Sequence, residues 1–209
     1  MKTLLSSNIK LTVIMPLFEQ PLLYKIGLDS IPARDDIEII VIDDGSGDNS
    51  LEEVREYQLH SDKNIVVLHN RINSGVAFTV NKGLDNANGE YVVLLGSDGD
   101  YFVGLDKAME ELDGTDLIYF DLEINSGEHL DSKAGSSKFM RREFIGNTRV
   151  PLLVNSEDNA FYELLLKKNP TEKYIDCMYK HYNYPREGSL VWNVIHNKTK
   201  RGERWGDCH

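Results

Sequence analysis

Asp98 and Asp100 flank Gly99 directly after the apolar run 91–95. In extended chain, side chains at i and i+2 project to one side, and the glycine lets the backbone turn so that both carboxylates approach one hard divalent cation. Mg²⁺ and Mn²⁺ take few protein oxygens and complete their shell with phosphate oxygens, so the pair suits a metal that holds a diphosphate. A polar turn after a strand uses the same residue types, and both readings stand. The segment Asp43-Asp44-Gly45-Ser46-Gly47-Asp48-Asn49-Ser50 follows another apolar run. A carboxylate there can accept hydrogen bonds from the N–H of a base or from ribose hydroxyls. Gly45 and Gly47 half-match a dinucleotide fingerprint, but Ser50 replaces the third glycine and two aspartates would repel a pyrophosphate. An Asx turn with Asn49 or Ser50 capping the next helix also accounts for the segment. A third group, Ser156-Glu157-Asp158, fits either a helix first turn with Ser156 as its cap or a general base that takes a proton from an incoming hydroxyl.

Other chemistries lack their residues. The sequence has no Gly-x-x-x-x-Gly-Lys-Ser/Thr loop, no Gly-x-Ser-x-Gly elbow and no His-x-x-x-His pair. His181 and His196 each offer an imidazole that can serve as a third metal ligand.

Four short β-rich runs, 12–15 (stopped by Pro16), 37–42, 64–68 and 91–95, alternate with helical spacing over 22–30, 50–59 and 75–87. Strands apolar almost throughout, alternating with such helices, predict βαβ units and a mostly parallel sheet covered on both faces. Ligands of these sheets sit beyond the carboxyl ends of the strands, where the aspartate clusters fall. Further on, the pattern predicts a helix over 102–112, a strand over 116–121, a polar loop or hairpin over 125–138 and a helix over 158–168 with Phe161, Leu164 and Leu165 on one face. Residues 196–209 form a locally basic tail.

The chain of 209 residues is 41% hydrophobic and 27% charged, which fits one domain: a first half to about 100, a second over about 101–195, then the tail. Its net charge of −11 argues against a broad nucleic-acid or anionic-membrane face. The longest apolar stretch, 11–18, falls short of the roughly 20 residues of a membrane span, and residues 1–7 do not form a signal peptide. A cytoplasmic protein with at most peripheral membrane contact is expected. Cys177 and Cys208 match no metal or redox spacing and are read as reduced thiols.

Taken in order, these segments resemble the family-2 glycosyltransferases of GT-A fold over about residues 11–190. Thr12-Val-Ile-Met-Pro-Leu-Phe-Glu is similar to that family's opening strand and turn. Residues 39–50 resemble its "VDDGSTDNT" segment, and Asn73-Ser-Gly-Val with Asn81-Lys-Gly-Leu and Ala87-Asn-Gly-Glu-Tyr-Val resembles its "NxGxxxARNxGxxxAxGEYI" run. Glu157-Asp158 is similar to its "ED" motif. The resemblance implies an inverting transferase moving a sugar from a nucleotide-diphosphate sugar, with UDP the expected carrier, to a hydroxyl of a glycan or glycolipid. It implies that Asp43 or Asp44 recognises the base, with Pro16, Phe18 and Glu19 lining that pocket and Asn73, Gly75 and Ser97 on the donor. Asp98, alone or with Asp100, would hold Mn²⁺ or Mg²⁺. Asp158 would be the general base with Glu157 in support, and Arg186, within Tyr184-Pro-Arg-Glu-Gly-Ser, would close on the phosphates. Two positions depart from the family pattern: Gly96 stands where an acid is usual, and Val80 where an arginine is. An inactive nucleotide- or sugar-binding module and a sugar nucleotidyltransferase are the competing readings.

Overall fold

The computed structural model describes residues 8–124, 127–130, 133, 138–153 and 156–181. Four strands, β1 (Leu11–Leu17), β2 (Ile37–Asp43), β3 (Ile65–His69) and β4 (Tyr91–Leu94), alternate with helices α1 (Tyr24–Ser30), α2 (Ser50–His60) and α3 (Val76–Asn86). They lie parallel in the order β3-β2-β1-β4. Both faces of β1 and β2 are buried, which is why these strands are nearly continuous Val, Ile and Leu. Leu11, Val13, Met15 and Val41 pack on one face with Tyr24, Leu28 and Val54 of α1 and α2. Ile14, Ile40 and Ile42 pack on the other with Ala77, Val80 and Leu84 of α3.

The chain winds outward from β1 to β3, then returns beneath the opposite face to β4. β1 is thus the strand at which the winding direction reverses, and a crevice opens between β1 and β4 at their carboxyl ends. Pro16 lies within β1 and does not stop it. The Ile14 carbonyl accepts from Leu95 N–H at 2.9 Å. The backbone groups of residue 16 therefore face the same side, where β4 has already ended at Leu94. A missing N–H costs nothing there, and pairing with β2 continues to Leu17.

Beyond β4 the sheet becomes mixed. β5 (Tyr101–Val103), α4 (Leu105–Glu110), β6 (Leu117–Ile124), β7 (Glu128–Leu130), β8 (Lys138–Arg141), α5 (Arg142–Ile145), α6 (Glu157–Leu166) and β9 (Glu172–His181) follow. β8 is antiparallel to both β4 and β6, β9 is parallel to β6, and β5 is antiparallel to β9. The predicted helix over 102–112 therefore begins as a strand, and Gly104, in left-handed backbone, separates β5 from α4. The expected hairpin is present where β7 pairs with β6, but Lys138 belongs to β8. On α6, Phe161 and Leu165 are buried while Leu164 is exposed. Among the described residues, no helix is long and apolar enough to cross a membrane.

Candidate active site

The ends of β1 and β2 form the first part of the site. Asp43 and Asp44 are both buried, at 1% and 4% exposure, but they are engaged differently. Asp44 accepts from Asn70 Nδ2 at 2.8 Å, Ser74 N–H at 2.9 Å and Gly75 N–H at 2.8 Å, so it pins the loop that leads into α3. Asp43 uses only Oδ2, at 3.2 Å from each of the Gly45 and Ser46 N–H groups. Its Oδ1 is buried and has no hydrogen-bond partner among the described residues. An unsatisfied buried carboxylate oxygen is costly unless a ligand completes it. Gly45 holds the turn at φ +72°, and a Cβ on it would come within 2.5 Å of the Ile72 carbonyl carbon, so glycine lets the two loops touch. Glu19, at positive φ, donates its N–H to Ser46 Oγ at 3.0 Å and ties the end of β1 to the turn. Phe18 is partly exposed beside it. Asn73 Oδ1 accepts from Gly75 N–H at 3.1 Å. Neither Asn49 nor Ser50 caps α2 through its side chain; Asp48 Oδ1 accepts the Ser50 N–H at 3.0 Å.

The second part follows β4. Gly96 explains the departure at that position: a Cβ there would lie 2.4 Å from Asp100 Oδ2 and 3.0 Å from Asp98 Oδ1. Both carboxylates converge on the space a side chain would fill. Asp100 is buried, accepting from Tyr179 Oη at 2.6 Å and meeting His181 Nδ1 at 2.9 Å. Tyr179 Oη in turn accepts from Gly96 N–H at 2.9 Å. Burial, with the Asp100 charge beside it, pushes the Tyr179 phenol well above its ordinary range, so it stays a donor. Ser97 is buried in the same turn. Among the described residues no three His, Cys, Asp or Glu side chains form a complete metal cluster.

The third part is the start of α6. Ser156 occupies the cap position in left-handed backbone without a side-chain capping bond. Asp158 Oδ1 accepts the Asn159 N–H at 2.8 Å. Glu157 is half-buried. Burial first, and the negative charge of Asp158 second, raise its carboxyl to about 7.

A cavity of about 170 Å³ joins the second and third parts on the α3 face of the sheet. Pro16, Leu94 and Met140 are among its apolar walls, and Asp100, Glu157 and Asp158 face into it. Asp43, Asp44, Phe18, Glu19 and Asn73 lie outside this cavity, at the neighbouring strand ends. Sequence reasoning did not single out Tyr179, Tyr162 or Lys138, all of which line it. Their strands and helix come from the second half, and nothing local marks them: Lys138 opens a four-residue strand that ends in Arg141. Arg186, His196, Tyr184 to Ser189, Cys208 and the basic tail lie outside the described residues. Cys177 is buried and unpaired, and burial pushes its thiol up to about 12, which makes it inert.

The model of Glycosyl transferase family 2 matches residues 12–155, and the chain belongs to that family. It is 32% identical over 152 residues to a GalNAc(5)-diNAcBac-PP-undecaprenol beta-1,3-glucosyltransferase of Campylobacter jejuni, covering 66% of this chain and 49% of that protein. It is 33% identical over 104 residues to an uncharacterized glycosyltransferase of Haemophilus influenzae, covering 49% of this chain and 40% of the relative. The chain thus spans about half or less of these relatives' lengths. In fold it resembles S. aureus TarS 1-349 in complex with UDP-GlcNAc (TM-score 0.73, 21% identity, 87% of this chain and 60% of that one). It also resembles the mannosyltransferase PcManGT of Pyrobaculum calidifontis in complex with GDP-Man and Mn²⁺ (TM-score 0.69, 19% identity, 90% and 60%). Both likenesses support a GT-A fold.

Proposed function

We propose that this protein is an inverting glycosyltransferase that moves a sugar from a nucleotide-diphosphate sugar, with UDP as carrier, to a hydroxyl of a glycan or glycolipid acceptor. The observation that carries the reading is the cavity beside the β1/β4 crevice, walled by Asp100 on one side and by Glu157 and Asp158 on the other. Asp43 Oδ1, buried and unpartnered, is the acceptor for a ring N–H of the base, and Asp44 serves by holding the adjoining loop in place.

Asp98 and Asp100 would hold Mn²⁺ or Mg²⁺. The fit rests on their hard oxygen donors and on Gly96, whose missing side chain lets Asp98 Oδ1 and Asp100 Oδ2 approach the same stretch of backbone. Each Asp100 oxygen retains a lone pair after its bond to Tyr179 or His181. When bound, the cation supplies positive charge to the leaving diphosphate. The chain's own residues do the rest. Asp158 takes the proton of the acceptor hydroxyl as that oxygen bonds to the anomeric carbon, while the bond from that carbon to the diphosphate oxygen breaks on the opposite face. Glu157, protonated near neutrality, keeps a second negative charge away from Asp158. The apolar walls exclude water that would otherwise compete as acceptor.

A thermal-shift screen of sugar nucleotides with Mn²⁺ names the donor first, because a bound ligand raises apparent stability. On that donor, Asp158→Asn is expected to retain binding and lose about 10²–10⁴-fold in turnover, the usual worth of general-base help. Near-wild-type turnover in that variant overturns the assignment. Binding with no turnover by the wild-type chain on any acceptor identifies a binding module instead.

A further inference from the structure

Residues 145–152 run between α3 and α6 on one face of the sheet. The N–H and carbonyl of Val150 bond the Asn81 side chain of α3 at 2.8 and 2.9 Å, and Arg149 pairs with Asp85 one turn further along that helix. On the other flank Lys168, just past α6, donates to the carbonyls of Phe144 and Ile145. The inner sides of these three segments, with Val80, Val150 and Phe161, wall the cavity. Their outer sides carry three exposed apolar residues, Phe78 at 45%, Leu152 at 55% and Leu164 at 37%. Phe78 lies one turn before Asn81, Leu152 two residues beyond Val150 and Leu164 one turn before Lys168. All three therefore stand on the side of those bonds toward the carboxyl ends of the strands.

Toward the amino ends the same surface is basic. Apart from the cavity-facing Glu157 and Asp158, the charged residues of α3, of 145–152 and of 157–168 are Lys82, Arg149, Lys167 and Lys168 against Asp85 and Glu163. Asp85 is taken by Arg149, and Lys82 bonds the His69 carbonyl and the Asn70 amide oxygen, neither of them charged. Four cations against two acids make this surface positive in a chain of net charge −11. Apolar side chains bordered by unmatched lysines seat a protein at a bilayer surface, the first entering among the acyl chains and the second meeting anionic headgroups. We propose that this face docks on an anionic lipid bilayer and holds the adjoining cavity against the membrane surface. Charge decides the occupant. A second copy of the chain would bring two positive surfaces together, whereas an anionic bilayer attracts this face and repels the acidic remainder, which fixes the orientation.

The inference goes beyond the transferase reading, and its test needs neither donor nor acceptor, so the two fail independently. The full chain is sedimented with vesicles of phosphatidylcholine containing phosphatidylglycerol and, separately, of phosphatidylcholine alone. Wild type is expected to bind the anionic vesicles, to release at high salt, and to bind the neutral ones at least about tenfold more weakly, at roughly fivefold for each net positive charge. Phe78→Ser combined with Leu152→Ser is expected to lower binding about tenfold, and Lys167→Gln about fivefold. An unchanged Tm in each variant separates loss of docking from loss of fold, and Phe78→Gln with Leu152→Gln replaces the serine pair should that pair melt early. Wild type left in the supernatant with anionic vesicles overturns the proposal. So does binding that persists undiminished in the variants, which would assign it to the basic residues 196–209 instead. A wild-type dimer in analytical ultracentrifugation that the double variant loses would make the face a contact between copies, and would overturn it too.

Discussion

Asp43 and Asp44 are neighbours of the same type, both buried, yet their replacement is expected to have opposite consequences. Asp44 accepts three hydrogen bonds of 2.8–2.9 Å from the loop before α3. Bonds to a charged group contribute about 1.5–3 kcal/mol each and do not sum fully. Asn70 keeps other anchors in Thr79 and Lys82 and Gly75 N–H keeps Asn73 Oδ1, so the principal loss in Asp44→Ala is three bonds to a charged acceptor, with the Ser74 N–H left without one. A destabilisation of about 3–5 kcal/mol follows, which for a domain of this size is roughly 6–20 °C in Tm. Asp43→Asn is different. The asparagine oxygen can still accept from the Gly45 and Ser46 N–H groups, as Oδ2 does at 3.2 Å. Its amide nitrogen then occupies the place of the unpartnered Oδ1 and presents a donor where the proposed ligand also has a donor. Stability is expected within about 1 kcal/mol of wild type. Nucleotide affinity is expected to fall by about 30- to 1,000-fold, the equivalent of about 2–4 kcal/mol. Urea denaturation and calorimetric titration with UDP measure the two quantities on the same samples. Asp43→Asn binding UDP within threefold of wild type refutes the assignment of Oδ1, and an undiminished stability of Asp44→Ala refutes the division of labour.

The raised Glu157 carboxyl has a signed effect on stability. Its folded value, about 7, lies above the ordinary 4.5, so its contribution is fully present below pH 4.5 and lost as pH rises through 7. Between pH 4.5 and 8, wild type should lose up to about 3 kcal/mol relative to Glu157→Gln; denaturation midpoints that run parallel for the two proteins would count against it. Gly96→Ala forces a methyl group to within 2.4 Å of Asp100 Oδ2 and displaces it from the Tyr179 hydroxyl. A cost of about 2–4 kcal/mol and loss of Mn²⁺-dependent nucleotide binding are expected, and a stable variant with unaltered Mn²⁺ response would remove Gly96 from that role. Without a divalent cation, uridine is expected to bind at least as tightly as UDP, because the diphosphate meets Asp98 and Asp100 uncompensated. With Mn²⁺ the order should reverse, and calorimetry that finds UDP tighter in both conditions would contradict the metal assignment.

The first half of the fold was legible because a parallel sheet buried on both faces writes itself as solid apolar runs, and α3 as a partial 3.6 period. The second half was not, for reasons visible in its residues. β9 does alternate, with Ile175, Cys177 and Tyr179 buried, but Asp176 among them and Glu172, Lys173 and Lys180 around them lower its apparent strand character. β5 is only three residues long, too short to register against the helix that follows. At the site, the acid pairs could be picked out by type and spacing, whereas their division of labour could not. Whether Asp43 or Asp44 is satisfied depends on backbone N–H groups about thirty residues away. Tyr179 and His181 reach Asp100 from about eighty residues on.

The acid surplus, net −11, thus separates into carboxylates with different work. Asp44 is consumed by the loop before α3, and Asp100 is held by Tyr179 and His181, so neither is available to a ligand through all its lone pairs. Asp43 Oδ1 carries no partner among the described residues, and Asp158 spends one oxygen on its neighbour's N–H. At the end of β2 the structure-bearing Asp44 stands next to the available Asp43, and in the cavity the held Asp100 shares a wall with the available Asp158. Substituting a fixed acid should therefore weaken function through geometry and stability together, whereas substituting an available one should weaken function alone.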